Sequence, residues 1–484
     1  MCAGIVACAA WAGAPTEARA GGLYLSDRGV RPLGRGGAFI AGADDLGAIA
    51  YNPAGLYDAG SQIMLDASWV NFSSEYTRKA NVTQVDPNTG QPVGQFEQTF
   101  PTVDGTTPFL PIPTLAFSFQ PHKEWVIAAG VWGPYAAISS YPEQVDGQPA
   151  PQRYSLITLD GSALAMAGVS AAFAPTKELR LGASFDMLVG TFKSTVNFSG
   201  CVPDRFLCAP EQPEWDVASE VAVGPIIAPS GKLGAIWAFH PRWRAGAAFA
   251  LPFFVRAPAT IRTRLPATPV FEVASQEGEE ADVSFDLPWT LKLGVESRLV
   301  DDLRVELGFA YEGWSMHDAI TIEPDGIALK NVAGFPETYY IPDVSFPRNF
   351  QDAVSVRLGG EYTIRAGDVV IDVRGGVAYE TSAVPADSLT VLTIDSAKVT
   401  PALGASLHVG KVRIDAVFAH VFASEVTVDP AEARIAQVSP VQANPPERPN
   451  YVNGGVYSSR ANIVGLGLSY LFDPAPADMM PSPR

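Results

Sequence analysis

No apolar run in this chain reaches the ~18 residues that a membrane-spanning helix requires. Charge is also scarce. Asp, Glu, Lys and Arg make up 17% of the 484 residues, where soluble domains usually carry roughly 25%. Basic residues are outnumbered, the formal net charge is −18, and a nucleic-acid partner is therefore not expected. Only five histidines occur, His122, His240, His317, His408 and His420. None stands in an H-E-x-x-H or comparable spacing, so no metal site or other cofactor is expected. No G-x-S-x-G, phosphate loop or dinucleotide fingerprint has a supporting context, so an enzyme is not indicated. What is plentiful is apolar residues (47%), Gly (44) and Pro (41). A chain of this kind, lacking a spanning helix, can cross a membrane only by closing its backbone hydrogen bonds as a barrel.

The pattern of the apolar residues supports that reading. Fourteen segments alternate apolar and polar side chains: Ile63–Phe72, Thr114–Gln120, Trp125–Gly133, Leu159–Phe173, Leu179–Val196, Lys232–Phe239, Trp243–Val255, Asp282–Glu296, Leu303–Glu312, Ala353–Ile364, Val369–Tyr379, Ala397–Val409, Val412–Phe422 and Asn462–Phe472. A period of two places one set on each face of a strand. In Asp282–Glu296, Val283, Phe285, Leu287, Trp289, Leu291, Leu293 and Val295 would share one face and the charges the other. Charges on one face and large apolar groups on the other suit water inside and lipid outside. In a soluble sandwich the same charges would be buried at a cost of several kcal/mol each. The connectors alternate as well. Tight turns such as 121–124, 240–242 and 365–368 interleave with long connectors near 73–110, 136–158, 198–230, 257–281, 314–351 and 424–458. The expected fold is all-β: a transmembrane antiparallel barrel of about 14 strands, monomeric, with both termini periplasmic and an N-terminal plug in the lumen.

Residues 1–20 read as a secretory signal, small and apolar to Ala14 and ending in Ala18-Arg19-Ala20. Cys201 and Cys208 then remain, in a polar loop of an exported chain, and their spacing points to a disulfide. Residues 21–60 are expected to form the plug, 61–472 the barrel, and 473–484 a periplasmic tail beyond Phe472, the aromatic end that serves the barrel-assembly machinery.

The segment from Ala43 to Leu56, A-D-D-L-G-A-I-A-Y-N-P-A-G-L, resembles the N-terminal hatch of the FadL-type outer-membrane transport proteins, which carry long-chain fatty acids or aromatic hydrocarbons. Gly130-Val131-Trp132-Gly133-Pro134-Tyr135 resembles the end of that family's third strand, and Arg153-Tyr154 its R-Y element. The resemblance implies passive, ligand-gated uptake of a hydrophobic small molecule with lateral exit into the outer membrane. It assigns gating to Asn52, Pro53, Ala54 and Gly55, and a strand kink to Gly130, Gly133 and Pro134. Phe206, Leu207, Trp215, Phe253 and Phe254 are candidates for ligand capture. A water-filled porin and a non-transport surface barrel are the alternatives; neither needs a plug of forty residues.

Overall fold

The computed structural model describes residues 27–86, 92–107, 111–133, 139–202, 208, 211–367, 369–441 and 449–472. The signal segment, Pro134, Phe206, Leu207 and the tail lie outside the described residues. Fourteen antiparallel strands form the wall: β1 (Gln62–Val85), β2 (Pro111–His122), β3 (Trp125–Trp132), β4 (Ala163–Phe173), β5 (Leu179–Ser199), β6 (Asp216–His240), β7 (Trp243–Ala250), β8 (Thr290–Val300), β9 (Leu303–Glu312), β10 (Ala353–Ala366), β11 (Val369–Glu380), β12 (Lys398–Val409), β13 (Val412–Ala423) and β14 (Gly455–Leu471). Each pairs with its successor. β14 returns to β1, from Gln62↔Leu471 to Arg78↔Gly455, and the ring is closed. Closure satisfies the backbone without water, which is what a lipid environment demands.

The two faces divide by chemistry, as alternation requires. On β14, Val464, Leu466, Leu468 and Tyr470 face outward, while Gly465, Gly467 and Ser469 face the lumen. On β10, Val356 and Leu358 are exposed, and Arg357 and Glu361 are buried inside. The charged residues that a soluble core would reject therefore line the lumen.

Two expectations need correction. The run Asp282–Glu296 is not one strand. It breaks at Pro288-Trp289 into a Glu280–Leu287 strand and β8. Val283 and Leu287 are buried on the inner side, whereas Leu293 and Val295 face out. The two halves present opposite faces, so the unbroken alternation across the break conceals an inversion. The long connectors are also less loop-like than their composition suggests. β1, β5, β6 and β14 continue well beyond the membrane-facing residues, and Pro92–Thr106 pairs with the far half of β1. Past the lipid a strand needs no apolar face, and the alternating signal disappears while the strand does not. At this loop end the strands Phe253–Arg264, Glu280–Leu287, Ala319–Pro324 and Val344–Pro347 pair in series and extend the wall from β6. Cys201 and Cys208 form a disulfide there, Cα–Cα 5.9 Å, packed with Trp215 and Phe271.

Candidate functional site: the plug and the cavity above it

The first described residues fold inside the barrel as three short helices, α1 (Val30–Gly34), α2 (Ala48–Tyr51) and α3 (Leu56–Ala59), with a 3-10 turn at Pro53–Gly55. None is long enough to be stable alone, and nearly every residue from Val30 to Ala59 is buried against the wall. α3 lies toward the tight-turn end, where Tyr57 Oη donates to Lys123 O at 3.0 Å.

Ion pairs fasten the plug. Arg35, fully buried, donates to Glu296 at 2.6 Å and to Glu306 at 3.4 Å. Glu306 also accepts from the backbone N–H groups of Ile40 (2.6 Å), Ala41 (3.0 Å) and Gly42 (2.8 Å). Arg31 pairs with Asp44 and, at 3.1 Å, with Glu361 of β10. Arg304 of β9 reaches Asp44 at 2.6 Å, and Arg413 of β13 reaches Asp45 at 2.8 Å. Asp58 is held by Arg180 of β5 (2.6 Å) and Arg244 of β7 (3.3 Å). Desolvated charges are costly unless paired in this manner.

The wall is shaped to receive the plug. Gly182 of β5 and Gly234 of β6 are cross-strand partners. A Cβ on Gly182 would lie 2.3 Å from Ala54 N, and one on Gly234 2.1 Å from Asn52 Oδ1. Together they form the bay that takes Asn52-Pro53-Ala54. Asn52 is fully buried. Its Nδ2 donates to Ile40 O (2.8 Å) and to Ala235 O of the wall (3.2 Å), and its Oδ1 accepts from Ala54 N (3.1 Å). Gly55 packs so closely on Ala43 that a Cβ would lie 2.4 Å from the Ala43 carbonyl oxygen.

β3 is the shortest strand on this side, eight residues against twelve in β2 and eleven in β4. Ser140 forms isolated bridges to Thr106 and Thr158. Gly130 faces the plug at a distance where a Cβ would meet Ile49 Cδ1 at 3.2 Å, and Gly133 donates to Pro113 O at 3.3 Å just beyond the strand.

A small cavity lies against the plug, lined by Tyr51, Trp132, Lys232, Phe253, Lys292 and Trp314 among others. A larger one occupies the loop end and is mostly apolar, with Leu188, Phe192, Val223, Phe285, Ile322 and Leu392 in its lining. The Trp314 and His317 rings, 6.1 Å apart, separate them. Three cationic-type groups also line the larger cavity, His317, Arg348 and Arg434, of which Arg434 donates to the carbonyl oxygens of Ala431 and Ala433. Among the described residues Arg348 forms no ion pair, its Nε has no hydrogen-bond partner, and its residue is 8% exposed. Burial draws its guanidinium down to about 10. His317 is held by Asp286 O at 2.7 Å through Nδ1, while Nε2 is unpartnered. Burial and the Arg348 charge press it down to about 4, so it is neutral at pH 7.

Of the ligand-capture candidates, Phe253 lines the smaller cavity, Phe254 is 56% exposed on the outer wall, and Trp215 packs beside the disulfide. Arg348, His317 and the glycine bay escaped the sequence reading. The glycines had a signal, small residues recurring on the luminal face. Arg348 had none, because it follows the short Val344–Pro347 strand in a stretch without periodicity.

A closed barrel with charged lumen, fastened plug and apolar cavity defines an outer-membrane channel for hydrophobic compounds. The chain belongs to the family described as outer membrane protein transport protein (OMPP1/FadL/TodX), whose pattern it matches over residues 11–472. It is a passive uptake channel of that family and not an enzyme. In fold it is similar to a Pseudomonas aeruginosa FadL homologue (16% identity, TM-score 0.68, 93% of this chain and 100% of that one). It is also similar to the Ralstonia pickettii toluene transporter TbuX (18%, 0.55, 92% and 99%) and the P. putida toluene transporter TodX (16%, 0.59, 91% and 98%). No curated protein sequence matches it.

Proposed function

We propose that the preferred cargo is an amphipath with a long apolar tail and a single carboxylate, a long-chain fatty acid. The observation that carries this is Arg348, a buried cation without a carboxylate partner among the described residues, at the edge of an apolar cavity. An uncompensated buried charge is costly, and an anionic head group would relieve that cost. Charge-assisted pairing of guanidinium with carboxylate is the strong form of the hydrogen bond. The tail would fill the apolar part of the cavity and gain about 0.8 kcal/mol per buried CH₂. A neutral hydrocarbon such as the toluene carried by the similar proteins would use the cavity but leave Arg348 unpaired.

The tight-turn end faces the periplasm in this reading, with both termini there, and the loops face outward. Ligand arriving in the smaller cavity displaces the plug at Asn52-Pro53-Ala54-Gly55, and cargo leaves sideways past Trp132 at the end of β3, beside Gly130 and Gly133. The barrel works as a monomer, since its sheet is closed, and its assembly depends on the β14 aromatic end at Phe472. The test is uptake of labelled oleate by cells lacking their own transporter. Saturable uptake that is lost with Asn52→Ala/Pro53→Ala, at normal surface levels of barrel, supports the route; unchanged uptake refutes the plug's role.

A further inference from the structure

The wall carries a discontinuity between β6 and its neighbour on the far side from β5. β6 and β7 pair from Trp243↔His240 to Ala250↔Lys232, and pairing with β6 begins again only at Ala259↔Val223 in the Phe253–Arg264 strand. Between them residues 224–230 and 252–258 form no ladder pairs with each other, although 226–230 pair with β5 and 253–258 with the Glu280–Leu287 strand. The cause is a phase error in the pleat. On β6 the inward residues are odd-numbered at Val217, Val221 and Val223, and even-numbered at Ile226, Ala228 and Ile236. On the other side they are even at Arg244 and Ala248, and odd at Phe253, Val255 and Ala257. The two edges therefore invert at opposite ends of the gap. Inside it, opposed residues point to opposite faces, and a ladder cannot form. Pro225, Pro229, Pro252 and Pro258 stand on these edges and supply no N–H with which to close it.

At its lower end the gap is closed by two hydrogen bonds, Leu251 N to Gly231 O and Ser230 Oγ to Leu251 O, both 2.9 Å. On the inner side Ile226 and Val223 line the larger cavity, and Ser230 and Leu251 the smaller. On the outer side Ile227, Leu251 and Phe254 are apolar and exposed, at 60%, 50% and 56%. Leu251 thus borders the cavity and the outer surface at once.

We propose that this seam is a second lateral passage, joining the apolar cavities directly to the outer leaflet for flexible hydrocarbon chains. Opening it breaks the two bonds at Leu251 and no ladder. The inference is independent of the carboxylate assigned to the cargo.

The test is Ala228→Cys/Val255→Cys, bridged across the seam in whole cells with a short reducible bis-methanethiosulfonate. Cys201 and Cys208 are already joined, so the new pair offers the only free thiols among the described residues. Uptake of labelled oleate and of toluene is followed before bridging, after bridging and after reduction, beside the unsubstituted barrel treated identically. A threefold or greater fall in flux of either compound on bridging, reversed by reduction, is expected. Unchanged flux of both with bridging complete by mass spectrometry overturns the passage. A fall for both compounds leaves the carboxylate reading to its own test, whereas a retained preference for oleate without a seam effect would refute only the passage. If the double cysteine barrel fails to assemble, Ala228→Phe fills the seam from inside and carries the same two outcomes.

Discussion

Arg35 and Glu296, 261 positions apart in the chain, meet at 2.6 Å inside the barrel with neither side chain exposed. This contact joins the plug to β8, and Glu306 joins it to β9 through three backbone N–H groups as well. The plug is therefore held by pairing as well as by the apolar cluster that Phe39, Leu46, Tyr51 and Leu56 share with Met64, Ala116 and Val126 of the wall.

Removing one member of such a pair leaves the other charge uncompensated. Arg35→Met should destabilise the seated plug by about 3–5 kcal/mol while the wall, whose ladders do not involve Arg35, still assembles. Hydrogen exchange across residues 30–59 checks this: fast exchange there with protected β8 and β9 is expected, and a plug as protected as in the native chain contradicts it.

The glycine bay makes a sharper claim, because it concerns a missing side chain. Gly234→Ala puts a Cβ where Asn52 Oδ1 now sits, 2.1 Å away. The plug must shift, and ion flow through single barrels in planar bilayers should rise. Leu233→Ala, one residue earlier on the exposed outer face, should leave conductance at the native level. Equal conductance in all three would show that the bay does not seat the plug.

Arg348→Leu is expected to weaken oleate binding roughly tenfold or more, given about 1.5–3 kcal/mol for a hydrogen bond to a charged group, and to leave the methyl ester unaffected. Competition binding in non-ionic detergent measures both. Parallel losses for acid and ester would mean that Arg348 serves packing and not recognition.

Asp395, in the 381–397 connector, accepts from Ser382 Oγ (2.8 Å) and Ala383 N (3.0 Å). Burial raises its carboxyl from 3.8 to about 7. The folded connector thus holds a proton that the unfolded one releases, and its stability is full below pH 4 and declines as pH rises through about 7. Protection factors in 381–397, which correct for base-catalysed intrinsic exchange, should fall between pH 5.5 and pH 7 and level off above it. Asp395→Asn keeps both acceptor contacts and should abolish that dependence; persistence of the dependence in the variant would place its origin elsewhere.

Much of the wall was legible because lipid imposes a rule on every strand that crosses it. Leu65 outward and Asp66 inward, or Val356 outward and Arg357 inward, follow from period two alone. The plug was legible through the Ala43–Leu56 pattern. The rule fails where lipid ends: β6 begins at Asp216, far above the alternating stretch that starts at Lys232. It also fails where a strand inverts, as at Pro288, since parity is preserved in sequence while the face changes. Contacts such as Arg35–Glu296 join distant strands and leave no local trace, and the isolation of Arg348 is visible only once its neighbours are assembled around it.

The central claim is tested most directly by oleate uptake in cells lacking their own transporter, comparing the native barrel with Arg348→Leu at equal surface levels. Saturable uptake through the native barrel, with an apparent affinity roughly tenfold weaker in the variant and methyl oleate carried alike by both, is the predicted result. No oleate uptake by a correctly inserted native barrel, alongside carriage of toluene, would contradict it.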